Sequence, residues 1–128
     1  MANTVPNYEV FKKGKCSLWV GDWAEEWVMI SYLTEQGWTR CEVTYREAVK
    51  LVKGIREMLN KSGWEFVYVK TTKKGNIKVE RQDEKIEIGV EAYPNIFFLW
   101  LSLKEANRLI WCIEKVLEDV KARERGWR

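Results

Sequence analysis

No histidine occurs anywhere in the 128 residues. That removes the commonest general base and the commonest metal ligand together, and argues against an enzyme. Cysteine is confined to Cys16, Cys41 and Cys112, with no C-x-x-C pair. Neither a zinc site nor a disulfide framework is suggested, and buried, reduced thiols are expected. No apolar run approaches a membrane span, and the opening MANTVPNYEV lacks the charged-then-apolar pattern of a signal peptide. The expectation is a cytoplasmic protein with no membrane partner. A Walker loop, G-x-G-x-x-G and H-x-E are all missing. The acidic pairs Glu25-Glu26 and Asp83-Glu84 fall at turns, and Asp22 and Asp119 have no evident partner. No catalytic residue, metal, cofactor or small-molecule substrate is expected.

What is present is charge of both signs and an excess of tryptophan. Charged residues make up 32% of the chain for a net charge of only +3, which describes a mixed, salt-bridged surface rather than a polybasic tail. Many Lys and Glu with short connections suit a thermophile. A hydrophobic content of 46% is enough for one core, so residues 1–128 are taken as a single domain. Eight tryptophans exceed the needs of a core this small, and a surplus commonly faces a partner or ligand.

Two helices are signalled by capping boxes. T-Y-R-E at Thr44–Glu47 opens one that carries Ala48, Leu51, Val52, Ile55, Met58 and Leu59 on one face, with Gly63 as its stop. S-L-K-E at Ser102–Glu105 opens the other, with Ala106, Leu109, Ile110, Ile113, Leu117 and Val120. Ahead of each helix the period falls to two. Strands are predicted over 8–12, 16–21, 27–33 and 38–43, then 64–72, 76–81, 84–92 and 96–101. Asp22-Trp-Ala-Glu could instead cap a helix over 22–35.

An internal repeat decides for a strand there. A shift of 58 lays Glu47, Ala48, Leu51, Ile55 and Leu59 over Glu105, Ala106, Leu109, Ile113 and Leu117. The same shift lays Val28, Ile30 and Tyr32 over Ile86, Ile88 and Val90. A small length change brings Lys12-Lys13-Gly14 onto Lys73-Lys74-Gly75, so that FKKGKCSLWV echoes KTTKKGNIKVE. The prediction is an α+β fold of two ββββα repeats, about 8–62 and 64–123, with antiparallel sheets packed on two long amphipathic helices.

That order of elements resembles the whirly proteins and the related Pur-alpha repeats. Lys13-Gly14-Lys15-Cys16-Ser17-Leu18 is similar to the whirly K-G-K-A-A-L segment at the start of the second strand. Phe66-Val-Tyr-Val-Lys70, followed by Lys74-Gly75 and Ile77-Lys78-Val79, looks like the opening hairpin of a Pur repeat. The resemblance implies binding of single-stranded nucleic acid across the sheets, with the helices in the core.

Strand parity assigns the faces independently of any family. Inward fall Cys16, Leu18, Val20, Thr39, Cys41 and Val43, then Val67, Val69, Ile77, Val79, Phe97, Leu99 and Leu101. Outward fall Trp19, Trp27, Trp38, Arg40, Trp64, Phe66, Tyr68, Lys70, Lys78, Ile96, Phe98 and Trp100. Such an apolar face needs a partner, and unpaired bases can stack on its rings. Lys12, Lys13, Lys15, Lys70, Lys73, Lys74 and Lys78 at the hairpin tips can follow phosphates. The expected function is therefore binding of single-stranded DNA, with RNA also possible, at low sequence specificity, for strand protection or regulation at melted DNA. The alternative is a non-enzymatic assembly protein whose aromatic face is a protein interface. Homo-oligomerisation is expected on either view, because strand edges and Trp111 need cover.

Overall fold

In the computed structural model, residues 7–23, 27–61, 64–71, 75–92 and 95–126 are described, with every side chain among them except those at 7, 23, 27, 38, 64, 65, 71, 92, 95 and 120–126. Eight strands and two helices follow in the order ββββαββββα. The first sheet holds β1 (Asn7–Lys13), β2 (Cys16–Trp23), β3 (Trp27–Thr34) and β4 (Gly37–Thr44), and α1 (Tyr45–Leu59) follows. The second holds β5 (Trp64–Thr71), β6 (Gly75–Gln82), β7 (Lys85–Ala92) and β8 (Asn95–Ser102), and α2 (Leu103–Gly126) closes the chain. Each sheet is an antiparallel meander in sequence order, as short hairpin connections dictate. Among the described residues no helix is long and apolar enough to cross a membrane.

The period-two segments form strands because alternate residues can bury one apolar face. Leu18, Val20, Val28, Ile30, Cys41 and Val43 are buried from the first sheet, and Val69, Ile77, Val79, Ile86, Ile88, Val90, Phe97, Leu99 and Leu101 from the second. With Leu51, Ile55, Leu109 and Ile113 from the helices they make one core. Each such aliphatic side chain stabilises by about 1.5–3 kcal/mol on burial. Residues 27–34 are a strand, as the repeat requires, and not a helix capped at Asp22. Three inward positions, Cys16, Thr39 and Val67, lie at the rim and are only half-buried.

Both helices start where the capping boxes place them. The Thr44 hydroxyl accepts from the Glu47 amide at 3.1 Å, and Glu47 accepts from the Thr44 amide at 2.8 Å. Ser102 and Glu105 repeat the exchange at 3.0 and 2.9 Å. The stop at Gly63 is corrected: α1 ends at Leu59, with Asn60 as its cap. The cause is Arg81, which is buried on β6. Its Nη1 donates to the carbonyls of Met58 (2.9 Å), Leu59 (3.2 Å) and Lys61, and its Nε to Asp83 (2.7 Å). A guanidinium thus satisfies the carbonyls that a helix C-terminus leaves open.

The duplication is visible in the element boundaries. β3 and β7 begin at Trp27 and Lys85, β4 and β8 at Gly37 and Asn95, and α1 and α2 at Tyr45 and Leu103, each pair 58 residues apart. The KKG echo does not belong to it. Gly14 sits in a two-residue turn at φ 60°, whereas Gly75 opens β6 and pairs with Thr71 and Ala92, in the place held by Cys16 in the first repeat. Each helix also crosses to the other repeat. α1 packs on β5, where Gly54 lies against Val67, and α2 packs on β1 and β2, where the Cys112 thiol donates to the Glu9 carbonyl at 3.7 Å.

Candidate nucleic-acid interface

The outer face of the second sheet is set by its register. Across the four strands it reads Lys70, Asn76, Glu91, Ile96 in one row and Tyr68, Lys78, Gly89, Phe98 in the next. The third row is Phe66, Glu80, Glu87, Trp100. The aromatics therefore stand in two rails on the edge strands, three strand spacings or about 14 Å apart. Phe66, Tyr68, Phe98 and Trp100 are 47, 43, 57 and 51% exposed. Lys70 and Lys78 are exposed beside the β5 rail. The Tyr68 hydroxyl donates to Asn76 Oδ1 at 2.6 Å, which steadies the ring, and Lys78 reaches Glu91 at 3.8 Å.

Between the rails runs a column that the sequence reading missed: Glu80, Glu87 and Glu91. Glu80 and Glu87 sit directly opposite one another. The signal was available, since β7, KIEIGVEA, alternates isoleucine with glutamate, and its parity puts the glutamates on the aromatic side. The face is thus divided. Its β5–β6 half joins aromatics to Lys70 and Lys78, with Glu80 opposite Phe66, and its β7–β8 half joins aromatics to Glu87 and Glu91, with no lysine in these rows. Phe98 also has a structural duty: its ring lies across Gly89, where an added Cβ would come within 2.7 Å of Cε1.

The outer face of the first sheet differs from the open aromatic surface expected there. Ser17, Met29 and Ser31 point outward yet are buried, so its centre is covered by the chain itself. Trp19 is half-buried, opposite Ser31, and its Nε1 donates to Ser17 Oγ at 2.8 Å. By register Trp38 lies opposite Leu33, and Trp27 opposite both Thr44 and Trp23. β2 runs on to Trp23, two residues beyond the predicted end at residue 21. Arg40 and Lys12 are exposed on β4 and β1.

Lys13 is turned away from this face. It lies opposite the inward Cys16, and its Nζ pairs with Glu105 Oε2 at 2.9 Å, at the start of α2. Burial works against the Glu105 carboxylate, but bonds from Ser102 and Lys13 hold it below the usual range. The tip lysines Lys73 and Lys74, the pair Glu25-Glu26, and the side chains of Trp27, Trp38 and Trp64 lie outside the described residues. Trp64 itself is placed on β5, opposite Gln82.

On the helical side Trp111 meets Tyr8 edge-on at 5.7 Å, with the Arg108 guanidinium 4.3 Å from its ring centroid. Asp119 is not without a partner, because the Tyr8 hydroxyl donates to it at 2.6 Å. That bond, followed by burial, pushes the Tyr8 phenol up to about 12. Burial first, then the nearby Glu47 and Glu42, pushes the Cys41 thiol up to about 12, far from a reactive thiolate. Neither a protein-family model nor a curated protein sequence matches the chain.

Proposed function

We propose that the protein is a whirly-like binder of single-stranded nucleic acid, DNA first and RNA also, and that the strand lies along the β5–β6 half of the second sheet. The observation that carries this reading is the exposed set Phe66, Tyr68, Lys70 and Lys78 on adjacent strands. Phe66 and Tyr68 are two residues apart on one face, hence about 7 Å apart, and each ring can take one base. Lys70 and Lys78 lie beside them to take phosphates, and the exposed Lys78–Glu91 contact is weak enough for a phosphate to displace. Glu87, on β7, repels a backbone laid across the far half of the sheet, which favours the β5 side. Lys12, Trp19 and Arg40 on the first sheet extend the same chemistry, with Trp38 two residues from Arg40 on β4 and Trp27 farther along β3 by register. Protection of exposed strands, or regulation at melted DNA, is the work such a surface suits.

The test is anisotropy of a labelled, unstructured oligonucleotide against a duplex of equal length. Tighter binding of the single strand is expected, because a duplex hides the faces of its bases. Phe66→Ala or Tyr68→Ala should each cost about 1–3 kcal/mol of affinity. Lys70→Gln with Lys78→Gln should make log affinity depend less steeply on log salt. Equal affinity for duplex and single strand would reduce the surface to a purely electrostatic contact, and no binding at low salt would sink the proposal.

A further inference from the structure

Four strands border the two sheets, and three of them carry features that discourage pairing with another chain. β1 is bulged between Glu9 and Phe11 and ends in Lys12 and Lys13. β4 presents Arg40 and Glu42, and β5 contains Glu65 and Lys70. β8, NIFFLWLS, has no charge, no proline and no bulge across eight residues. Its outward residues Ile96, Phe98 and Trp100 are 60, 57 and 51% exposed. A long, apolar, regular edge of this kind is a template for a further strand.

We infer that β8 is a homodimer edge: two copies pair antiparallel through β8 about a twofold at Phe98, joining their second sheets into one eight-stranded sheet. Self-complementarity selects a second copy as the occupant. With the axis at Phe98, that residue faces its own counterpart, Ile96 faces Trp100, and Phe97 faces Leu99, so outward residues meet outward and inward meet inward. No charge opposes another anywhere along the pair. Stacking the two aromatic faces on each other is disfavoured, because it would take Lys70, Lys78, Glu80, Glu87 and Glu91 of each copy out of water. Edge pairing leaves those carboxylates in water. It also leaves β5 at the two far ends of the joined sheet, so the inference is independent of whether the β5–β6 half binds nucleic acid.

Only the flanks of three side chains and one strand edge are covered, which falls below the ~1,200 Å² of a standard interface. The dimer is therefore concentration-dependent. Sedimentation of the full chain across roughly a hundredfold range spanning micromolar concentrations should show a monomer–dimer equilibrium. Phe98→Lys puts two ammonium groups at the axis and should leave only monomer. Ile96→Lys should do the same without touching the cover over Gly89, and Phe66→Lys should leave the dimer intact. In a Cys16→Ser background, Phe98→Cys should give a covalent dimer under mild oxidation, because facing Cα atoms in such a ladder are about 4.5–5.5 Å apart. Phe66→Cys should not. A chain that stays monomeric throughout, a dimer that survives Ile96→Lys, or cross-linking through position 66 in preference to 98 would each overturn the inference.

Discussion

Gly54→Ala tests how the two repeats interlock. Gly54 lies in the middle of α1, and a Cβ there would stand 2.7 Å from Cγ1 and 2.9 Å from Cγ2 of Val67 on β5. Those distances are about 1 Å inside ordinary carbon contact. Valine has a stiff χ1, and both of its methyls are struck, so a rotamer change relieves little. Helix and strand must separate instead, at a cost of roughly 1–3 kcal/mol. Alanine returns about 1 kcal/mol of helix propensity over glycine. The single variant should therefore lose about 0–2 kcal/mol, too narrow a margin to decide anything alone. The coupling decides. Val67→Ala by itself removes two half-buried methyls, for about 1–2 kcal/mol. In the double variant the clash is gone and the propensity gain remains, so it should be more stable than the two losses added by about 1–3 kcal/mol. Urea midpoints of the four proteins, at unchanged m-value, measure this directly. Additivity within about 0.5 kcal/mol would show that α1 does not rest on β5 through this contact.

Arg81→Met should cost at least about 2 kcal/mol in the same assay, since it strands the α1 terminal carbonyls; Arg81→Lys should recover only part, having no planar fork. Tyr8 has a raised folded pKa, so its contribution to stability is complete below its ordinary value near 10 and is lost as pH rises toward about 12. Ultraviolet titration should show Tyr8 ionising late, together with Tyr32, which burial also pushes up, and Asp119→Asn should bring Tyr8 back toward the ordinary range; an unchanged curve would deny the Tyr8–Asp119 bond.

Much of the fold was legible because it rests on local rules. The eight strands fall within about two residues of their predicted bounds, for one reason: alternation and turn residues lie in the sequence itself. The capping boxes at Thr44 and Ser102 were legible in the same way. Arg81 was not, because its partners lie some twenty residues back and meet it only once β6 has folded beside α1. The β1 bulge was not legible either, since an extra residue in one strand is defined only against its partner. For the candidate site, parity placed Phe66, Tyr68, Lys70, Phe98 and Trp100 on the outer face correctly. What parity could not reveal was the company they keep. Lys13 looked like a tip lysine until α2 brought Glu105 to it.

The pair Arg56–Glu114, at 2.8 Å between α1 and α2, shows how the two ββββα units differ where they meet. These residues are 58 apart, so each is the other's counterpart under the repeat. Counterparts that touch lie on the approximate twofold axis that relates the repeats. In a dimer of identical single repeats a charge at that place would face its own copy and be repelled. Joined in one chain, the two positions are free to differ, and here they carry opposite charges. The same axis explains the exchange of cover, α1 on β5 and α2 on β1, which leaves each repeat dependent on the other's helix to close its opening strand. Neither half holds a complete core. The chain should therefore unfold in one transition, the condition under which the coupling between Gly54 and Val67 can be read as a free energy.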